Sequence, residues 1–365
     1  MKPVVRPRRQ TRSVSVGNII IGGDAPVSIQ SMTSVPLEDV QATIDQVERL
    51  QEAGAEIIRL AVRNSEALPF LKEVRRSVSA MLSADIHFDY RLAIAAMEAG
   101  VNKVRINPGN IGSRERVTEV TRAARDHGVP LRVGVNGGSM DKKKYPEGTA
   151  ADLAESALEH VRILEEENFE EIIVSIKSSD IFQTIEANRI FSRERDYPLH
   201  IGLTEAGYGL SCTVQSSVAI GHLLLEGIGD TLRVSMTGDP VEEVYIAEKI
   251  LQSVGDRHPP VKIIACPTCG RTDPELDLPS LAREIESACI EAFGEKLAAR
   301  GASIEIAVMG CEVNGPGEAS HADFGLAGAR KGRVLLFSKG KKMHLVDSSD
   351  AADELVKAVL ESGIV

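Results

Sequence analysis

Four residues in the C-terminal third are of the types that bind metal. Cys266 and Cys269 form a CxxC, Cys311 arrives from a distant loop, and Glu318 closes the run Asn-Gly-Pro-Gly-Glu at 314–318. Soft thiolates suit iron–sulfur clusters or zinc, and a single oxygen ligand in a sulfur set marks the position most easily vacated. An iron–sulfur cluster that performs chemistry needs such an exchangeable position, so the missing fourth cysteine is informative. Plainer readings stand beside this one. The CxxC could be a dithiol pair or half of a structural zinc site, with His321 completing a Cys₃His set. Cys289, inside an amphipathic run, reads as a small core residue, and Cys212, in a Gly/Ser-rich stretch, as a tolerated thiol. Five cysteines, an odd number, argue against a disulfide framework.

A second constellation lies at the ends of short apolar runs in the first two-thirds. Those ends carry Gln30 and Ser31; Arg59 and Arg63; Asp85, His87 and Asp89; Arg105, Asn107 and Asn110. Later runs add Arg132 and Asn136, Lys177, Glu205, then Arg233 and Ser235. One arginine at a strand end is commonly a solvated loop charge. Several cations converging from different strands of an acidic chain imply an anionic ligand, and a diphosphate matches the guanidinium fork.

The elements that must position these groups alternate regularly. Strand candidates fall at 27–32, 56–62, 82–87, 103–107, 131–136, 171–177, 199–205 and 231–235. Helical patterns lie between them, among others at 42–53, 90–99, 114–127, 151–167 and 217–226. Gly54, Gly100, Gly128 and Gly227 stand where left-handed C-terminal caps belong. Eight strand–helix units of roughly 25–40 residues spell a (β/α)₈ barrel of the TIM type, whose strand ends converge on one mouth. An open doubly wound sheet has the same periodicity, but no GxGxxG follows the first strand. Residues 255–260, with Pro259-Pro260, read as a linker, giving a barrel at 1–255 and a smaller α/β domain at 256–365. In that domain strands are expected at 261–265, 304–309, 334–337 and 343–346, with helices at 281–299 and 351–360.

With 365 residues, 43% hydrophobic and 26% charged, the chain has the composition of an ordinary globular protein large enough for two domains. A formal net charge of −11 disfavours nucleic-acid binding. No apolar stretch approaches the roughly 20 residues that span a bilayer. The basic start, residues 1–12, lacks the apolar core of a signal peptide; it reads as a surface arm on a cytoplasmic protein.

The motifs QSMTS, ADIHFDYR, RINPGNIG, RVGVN, TEAG, GIGDTLRVS, ACPTCGR and GCEVNGPGEA strongly resemble those of the bacterial 4-hydroxy-3-methylbut-2-enyl diphosphate synthases. The resemblance runs from about residue 12 to 333. It implies a (β/α)₈ barrel followed by an iron–sulfur domain similar to those of sulfite and nitrite reductases, in the compact form without the large plant-type insert. It further implies a [4Fe–4S] cluster on Cys266, Cys269, Cys311 and Glu318. The implied reaction is reductive ring opening and dehydration of 2-C-methyl-D-erythritol 2,4-cyclodiphosphate, with electrons from flavodoxin or ferredoxin.

The residues fit that chemistry. Arg59, Arg105, Arg132 and Lys177, with Asn136 and Ser235, are the expected diphosphate-binding groups. Glu205 is the expected proton donor to the departing hydroxyl, suited by a pKa raised through burial. Asp85 and Asn107 are expected to orient substrate, and His87 stands between a site role and packing. The alternative is a non-redox TIM-barrel transferase acting on a diphosphate, with structural zinc in the second domain. A scaffold that only binds would leave the polar strand ends unexplained. Chain geometry adds a head-to-tail homodimer. The eighth helix returns the chain to the barrel's bottom, and a six-residue linker reaches at most about 20 Å. The cluster domain is therefore expected to serve the mouth of a second chain.

Overall fold

A computed structural model of the chain describes residues 7–86, 89–107, 111–141, 143–311, 317 and 319–365. It forms two compact units that divide between Arg257 and His258.

The first unit opens with a hairpin, β1 (Val14–Val16) and β2 (Ile19–Ile21). Eight parallel strands follow: β3 (Ser28–Met32), β4 (Ile57–Ala61), β5 (Met81–Asp85), β6 (Lys103–Ile106), β7 (Leu131–Asn136), β8 (Ile172–Lys177), β9 (His200–Ile201) and β10 (Thr231–Leu232). Their order in the sheet is β8-β7-β6-β5-β4-β3-β10-β9, and a parallel bridge from Val174 to Leu199 joins the two end strands into a barrel. The helices after them are α1 (Val40–Glu52), α2 (Leu68–Ser77), α3 (Tyr90–Glu98), α4 (Arg114–His127), α5 (Ala150–Glu166), α6 (Ile181–Glu194), α7 (Gly209–Leu225) and α8 (Pro240–Val254). The expected eightfold alternation is thus present, and all eight strand candidates are strands.

Period-two alternation decides where the core sits. Ile29, Ile58, Val104, Val133, Val174 and Ile201 point outward and are fully buried beneath the helices. The inward positions of the same strands are Gln30, Ser83, Lys103, Arg132, Ser175 and His200, buried as well but polar. A barrel interior is ordinarily filled with branched apolar side chains; here the apolar core is the layer between strands and helices. Side chains close the helix starts: Asp39, Asp180 and Asp239 each accept a backbone N–H at an N-terminus, and Thr149 with Asp152 forms a reciprocal capping box. Gly128 and Gly255 end α4 and α8 in the left-handed region at φ 63° and 87°.

Three features depart from expectation. α7 starts at Gly209, well before the expected 217, because Cys212 and Ser216 are buried against the barrel and tertiary packing overrides the weak helix propensity of a Gly/Ser/Thr run. The hairpin closes the barrel floor: Val14, Val16 and Ile21 pack with Ile57 and Ile173. The described part of the basic start, from residue 7, is no free arm. Arg8 pairs with the buried Asp230 at 3.0 Å, and Arg9 donates to the carbonyls of Arg195 and Tyr197, both at 2.6 Å.

The second unit is a five-stranded sheet in the order β11 (Val261–Ala265), β12 (Ile304–Met309), β13 (Phe324–Gly328), β14 (Arg333–Ser338) and β15 (Lys341–Asp347). β11, β12 and β13 run parallel, and β14 and β15 turn back antiparallel. α9 (Leu278–Cys289) continues through a π-helical segment, Ile290–Gly294, into α10 (Glu295–Ala299); α11 (Ala351–Glu361) ends the unit. Cys289 is fully buried with Ile285 and Phe293, the core role its pattern suggested. Strand β13 escaped the sequence reading because Phe324–Gly328 holds two glycines and no β-branched residue.

Candidate functional site

Strand pairing brings the cations together. Asp85 stands opposite Arg105, and Arg105 opposite Arg132, in the parallel registers of β5, β6 and β7. Arg105 Nη1 donates to Asp85 Oδ1 at 3.2 Å, and Arg59 Nε lies 3.6 Å from Asp85 Oδ2, so one carboxylate steadies two guanidiniums. Arg132 Nη1 donates to Ser175 Oγ at 2.9 Å. Arg233, just beyond β10, forks onto Glu243 of α8, with Nε and Nη2 each 3.2 Å from its oxygens. Lys177 completes the ring. A cavity of about 220 Å³ is lined by Arg59, Asp85, Arg105, Arg132, Asn136 and Lys177, with Ser175, Thr204, Arg233 and Ser235.

Two glycines make room for these cations. A Cβ on Gly134 would lie 2.6 Å from Arg105 Nε, and one on Gly202 would lie 2.7 Å from Lys177 Nζ. The motif RVGVN therefore needs its glycine as much as its arginine.

The electrostatics are those of a site short of negative charge. Burial, opposed by Asp85, pulls Arg59 down to about 10. Burial first, then neighbouring Arg59 and Arg105, pushes Arg132 down, and burial with Arg132 and Arg233 pushes Lys177 well down. A guanidinium keeps its proton in proteins, so the strain of buried like charges is relieved by an anion entering the cavity.

Of the expected site residues, Arg59, Asp85, Arg105, Arg132, Asn136, Lys177 and Ser235 meet in this cavity. Asn107 is buried at the end of β6. Glu205 does not meet the expectation of burial: its side chain is exposed in the chain alone, and its backbone sits at φ 55°, a strained region for a non-glycine. Ser31 points outward, donating to Glu243 at 3.4 Å, while Arg63 is exposed and Asp89 caps α3. His87 and Asn110 lie outside the described residues. Glu243 and Ser175 were missed, because a buried partner on a helix or mid-strand carries no strand-end signal.

In the second unit Cys266 follows β11 and Cys311 follows β12, adjacent parallel strands in register. Cys266 Sγ accepts the Gly310 N–H at 3.1 Å. Cys311 lines a surface cavity with the segment Gly270 to Pro274 that follows Cys269. The Arg271 backbone N–H and guanidinium draw the exposed Cys269 thiol below its ordinary value. All five cysteines are free. The chemistry of these thiols and the placement of Cys266 and Cys311 beyond the C-terminal ends of neighbouring strands fit a thiolate-held group, although no three metal-binding side chains converge within coordinating reach among the described residues. Glu318 lies outside those residues.

Comparison with known proteins gives concordant results. A family model described as the GcpE TIM-barrel domain matches residues 11–248, and one described as the GcpE protein C-terminal domain matches residues 262–361. A Clostridium perfringens protein named 4-hydroxy-3-methylbut-2-en-1-yl diphosphate synthase (flavodoxin) is 49% identical over 96% of this chain and 99% of its own. The Geobacillus thermodenitrificans protein of the same name is 49% identical over 96% of this chain and 92% of its own. A solved dihydropteroate synthase from Stenotrophomonas maltophilia aligns over 67% of this chain and 98% of its own with a TM-score of 0.51 and 15% identity, a likeness of barrel fold alone.

Proposed function

This chain belongs to the GcpE family of flavodoxin-dependent 4-hydroxy-3-methylbut-2-en-1-yl diphosphate synthases, and we propose that its barrel mouth holds the diphosphate of the cyclic substrate while its second unit carries a [4Fe–4S] cluster. It is an oxidoreductase drawing electrons from flavodoxin and acting on a small molecule; the non-redox transferase alternative has no support among its relatives. Opening 2-C-methyl-D-erythritol 2,4-cyclodiphosphate consumes two electrons and one proton. The tertiary C2–O bond to phosphate breaks, the neighbouring C3 hydroxyl leaves as water, and a dianion becomes a trianion.

The observation that carries the reading is charge imbalance in the barrel. Arg59, Arg105, Arg132, Lys177 and Arg233 face inward, where Asp85 pairs with Arg59 and Arg105 and Glu243 pairs with Arg233. Arg59, Arg105, Arg132 and Lys177 clamp the phosphates and stabilise the third negative charge as it develops. Asn136 and Ser235 orient the phosphate oxygens, and Asp85 holds the two guanidiniums in place while Asn107 orients the substrate's carbon skeleton. Glu205 presents its carboxyl at the strand end and delivers the proton that makes water of the leaving hydroxyl. Cys266, Cys269, Cys311 and Glu318 hold the cluster, which when bound supplies the two electrons singly.

A head-to-tail homodimer, each site combining one chain's barrel with the other's cluster unit, fits two observations. Only six residues separate α8 from β11, a reach of about 20 Å when extended. Phe182, Tyr208, Leu210, Val214 and Tyr245 expose apolar surface on or beside α6, α7 and α8. Mixing Arg105→Ala chains with Cys311→Ser chains should restore one intact site in two; proven heterodimers without activity would refute shared sites. Free cysteines throughout and no helix among the described residues long and apolar enough to cross a membrane accord with a cytoplasmic enzyme.

The deciding experiment supplies anaerobically purified protein with reduced flavodoxin and the cyclic diphosphate. Iron and sulfide bound per chain, and linear diphosphate detected by mass spectrometry, are expected. A colourless zinc protein that leaves the substrate unchanged would refute the reading.

A further inference from the structure

Below the cationic ring, the barrel interior holds a lysine the reaction has not yet employed. Lys103 is fully buried at the start of β6, one inward position beneath Arg105. Among the described residues its Nζ has one partner, the neutral Gln30 Oε1 at 2.5 Å, and no carboxylate lies within ion-pair reach. The charged and titratable groups facing it are Arg59 from β4, Arg132 from β7 and His200 from β9. Asp85 stands opposite Arg105 and is already taken by Arg59 and Arg105. An ammonium so placed bears its desolvation uncompensated, which a buried group escapes by giving up its proton or gaining an anion.

The inward layer around it is polar. Ser28 Oγ, Ser83 Oγ, Gln30 Nε2, Thr231 Oγ1 and both ring nitrogens of His200 are buried on inward faces without hydrogen-bond partners. Ser83 stands opposite Lys103, Gln30 is its hydrogen-bond partner, and Thr231 stands opposite both Ser28 and His200, so these polar groups form the inward layer in which Lys103 sits.

We propose that Lys103 is a positioning residue that takes up a proton when the diphosphate enters the ring above it. The ammonium then exists only when an anion is present to balance it, and it backs Arg132 from below as the substrate's negative charge grows. This rests on the reading that the ring binds a diphosphate. Burial, with Arg132 and Arg59, already pushes Lys103 well below the ordinary lysine value, the direction an empty site requires.

The test is anaerobic calorimetry of cyclic diphosphate binding to the oxidised holoenzyme, without electron donor, at about pH 8 in buffers of different ionisation enthalpy. Wild type should take up roughly 0.5–1 proton per site beyond any change on the ligand itself. Lys103→Met and Lys103→Gln, the latter keeping a polar partner for Gln30, should still bind but lose at least half of that uptake. Binding without proton exchange in wild type overturns the proposal without recourse to a variant. So does uptake that survives in the folded Lys103 variants, or that disappears instead in His200→Gln. Absence of binding in wild type would overturn the diphosphate reading itself, which separates the two failures.

Discussion

Replacing Gly134 with alanine removes no charge and no donor, yet it should cripple the site through one neighbour. The new methyl would lie 2.6 Å from Arg105 Nε, where ordinary contact begins at 3.4 Å. Arg105 must therefore move by about 1 Å, a displacement of the size that costs on the order of 100-fold when it misplaces a binding group. The same movement breaks its 3.2 Å bond to Asp85 and its 3.4 Å bond to the Gly134 carbonyl. A lost charge-assisted bond costs about 1.5–3 kcal/mol, or roughly 10–150-fold in affinity. Anaerobic calorimetry with the cyclic diphosphate, and kcat/KM with reduced flavodoxin, should both fall within that range. Gly221→Ala, whose Cβ would meet nothing closer than Val254 at 3.9 Å, serves as the silent control. The reasoning assigns the whole effect to Arg105, so Gly134→Ala should cost almost nothing further in an Arg105→Ala background. Binding within twofold of wild type, or an undiminished loss in that background, would refute it.

Arg132→Ala should weaken substrate capture by a similar 10–150-fold, about 1.5–3 kcal/mol, and Arg132→Lys should recover only part because the planar fork is lost; calorimetry reads both. Serine at Cys266, Cys269 or Cys311 should strip most bound iron, whereas serine at Cys212 or Cys289 should not; equal iron loss at Cys212 would make the ligand assignment wrong. Glu318→Ala should spare much of the iron while lowering turnover, and full activity would exclude Glu318 from the site. His160 is held neutral by burial, with its folded pKa pulled from 6.5 to about 4 despite Glu159. The neutral form is the stable one, so this contribution is complete above pH 6.5 and is lost as pH falls towards 4. Denaturant titrations across that interval should show a shallower acid slope in His160→Gln.

The alternation of strands and helices was legible because every outward face of the barrel is an apolar run bounded by turn residues. The ring was legible too, since Arg59, Arg105, Arg132 and Lys177 are cations set within largely apolar strand runs. What escaped depends on contacts distant in sequence. Glu243 sits on α8, and only folding carries it to Arg233. Lys103 and His200 open their strands rather than close them, so a reading of strand ends passes over them. Asp89 shows the converse: a carboxylate among the polar strand ends whose role is to cap α3. Arg63 is likewise a solvent-facing charge. Glu205 was expected to be buried, and its side chain is exposed.

The hairpin of β1 and β2 has a bearing on the enzyme's electrical behaviour, though it sits at the end of the barrel far from the mouth. Val14, Val16 and Ile21 form an apolar floor with Ile57 and Ile173, and Gly17 turns the hairpin at φ 60°, where a side chain would strike Met81. That floor works as an insulator. Bulk water rising from below would screen the cations, and a field that acts across a low-dielectric interior would fade to its value in solution. The N-terminal residues thus help to set how strongly the mouth pulls on a diphosphate. Trimming them for expression would open a leak in the field before it cost the fold its shape.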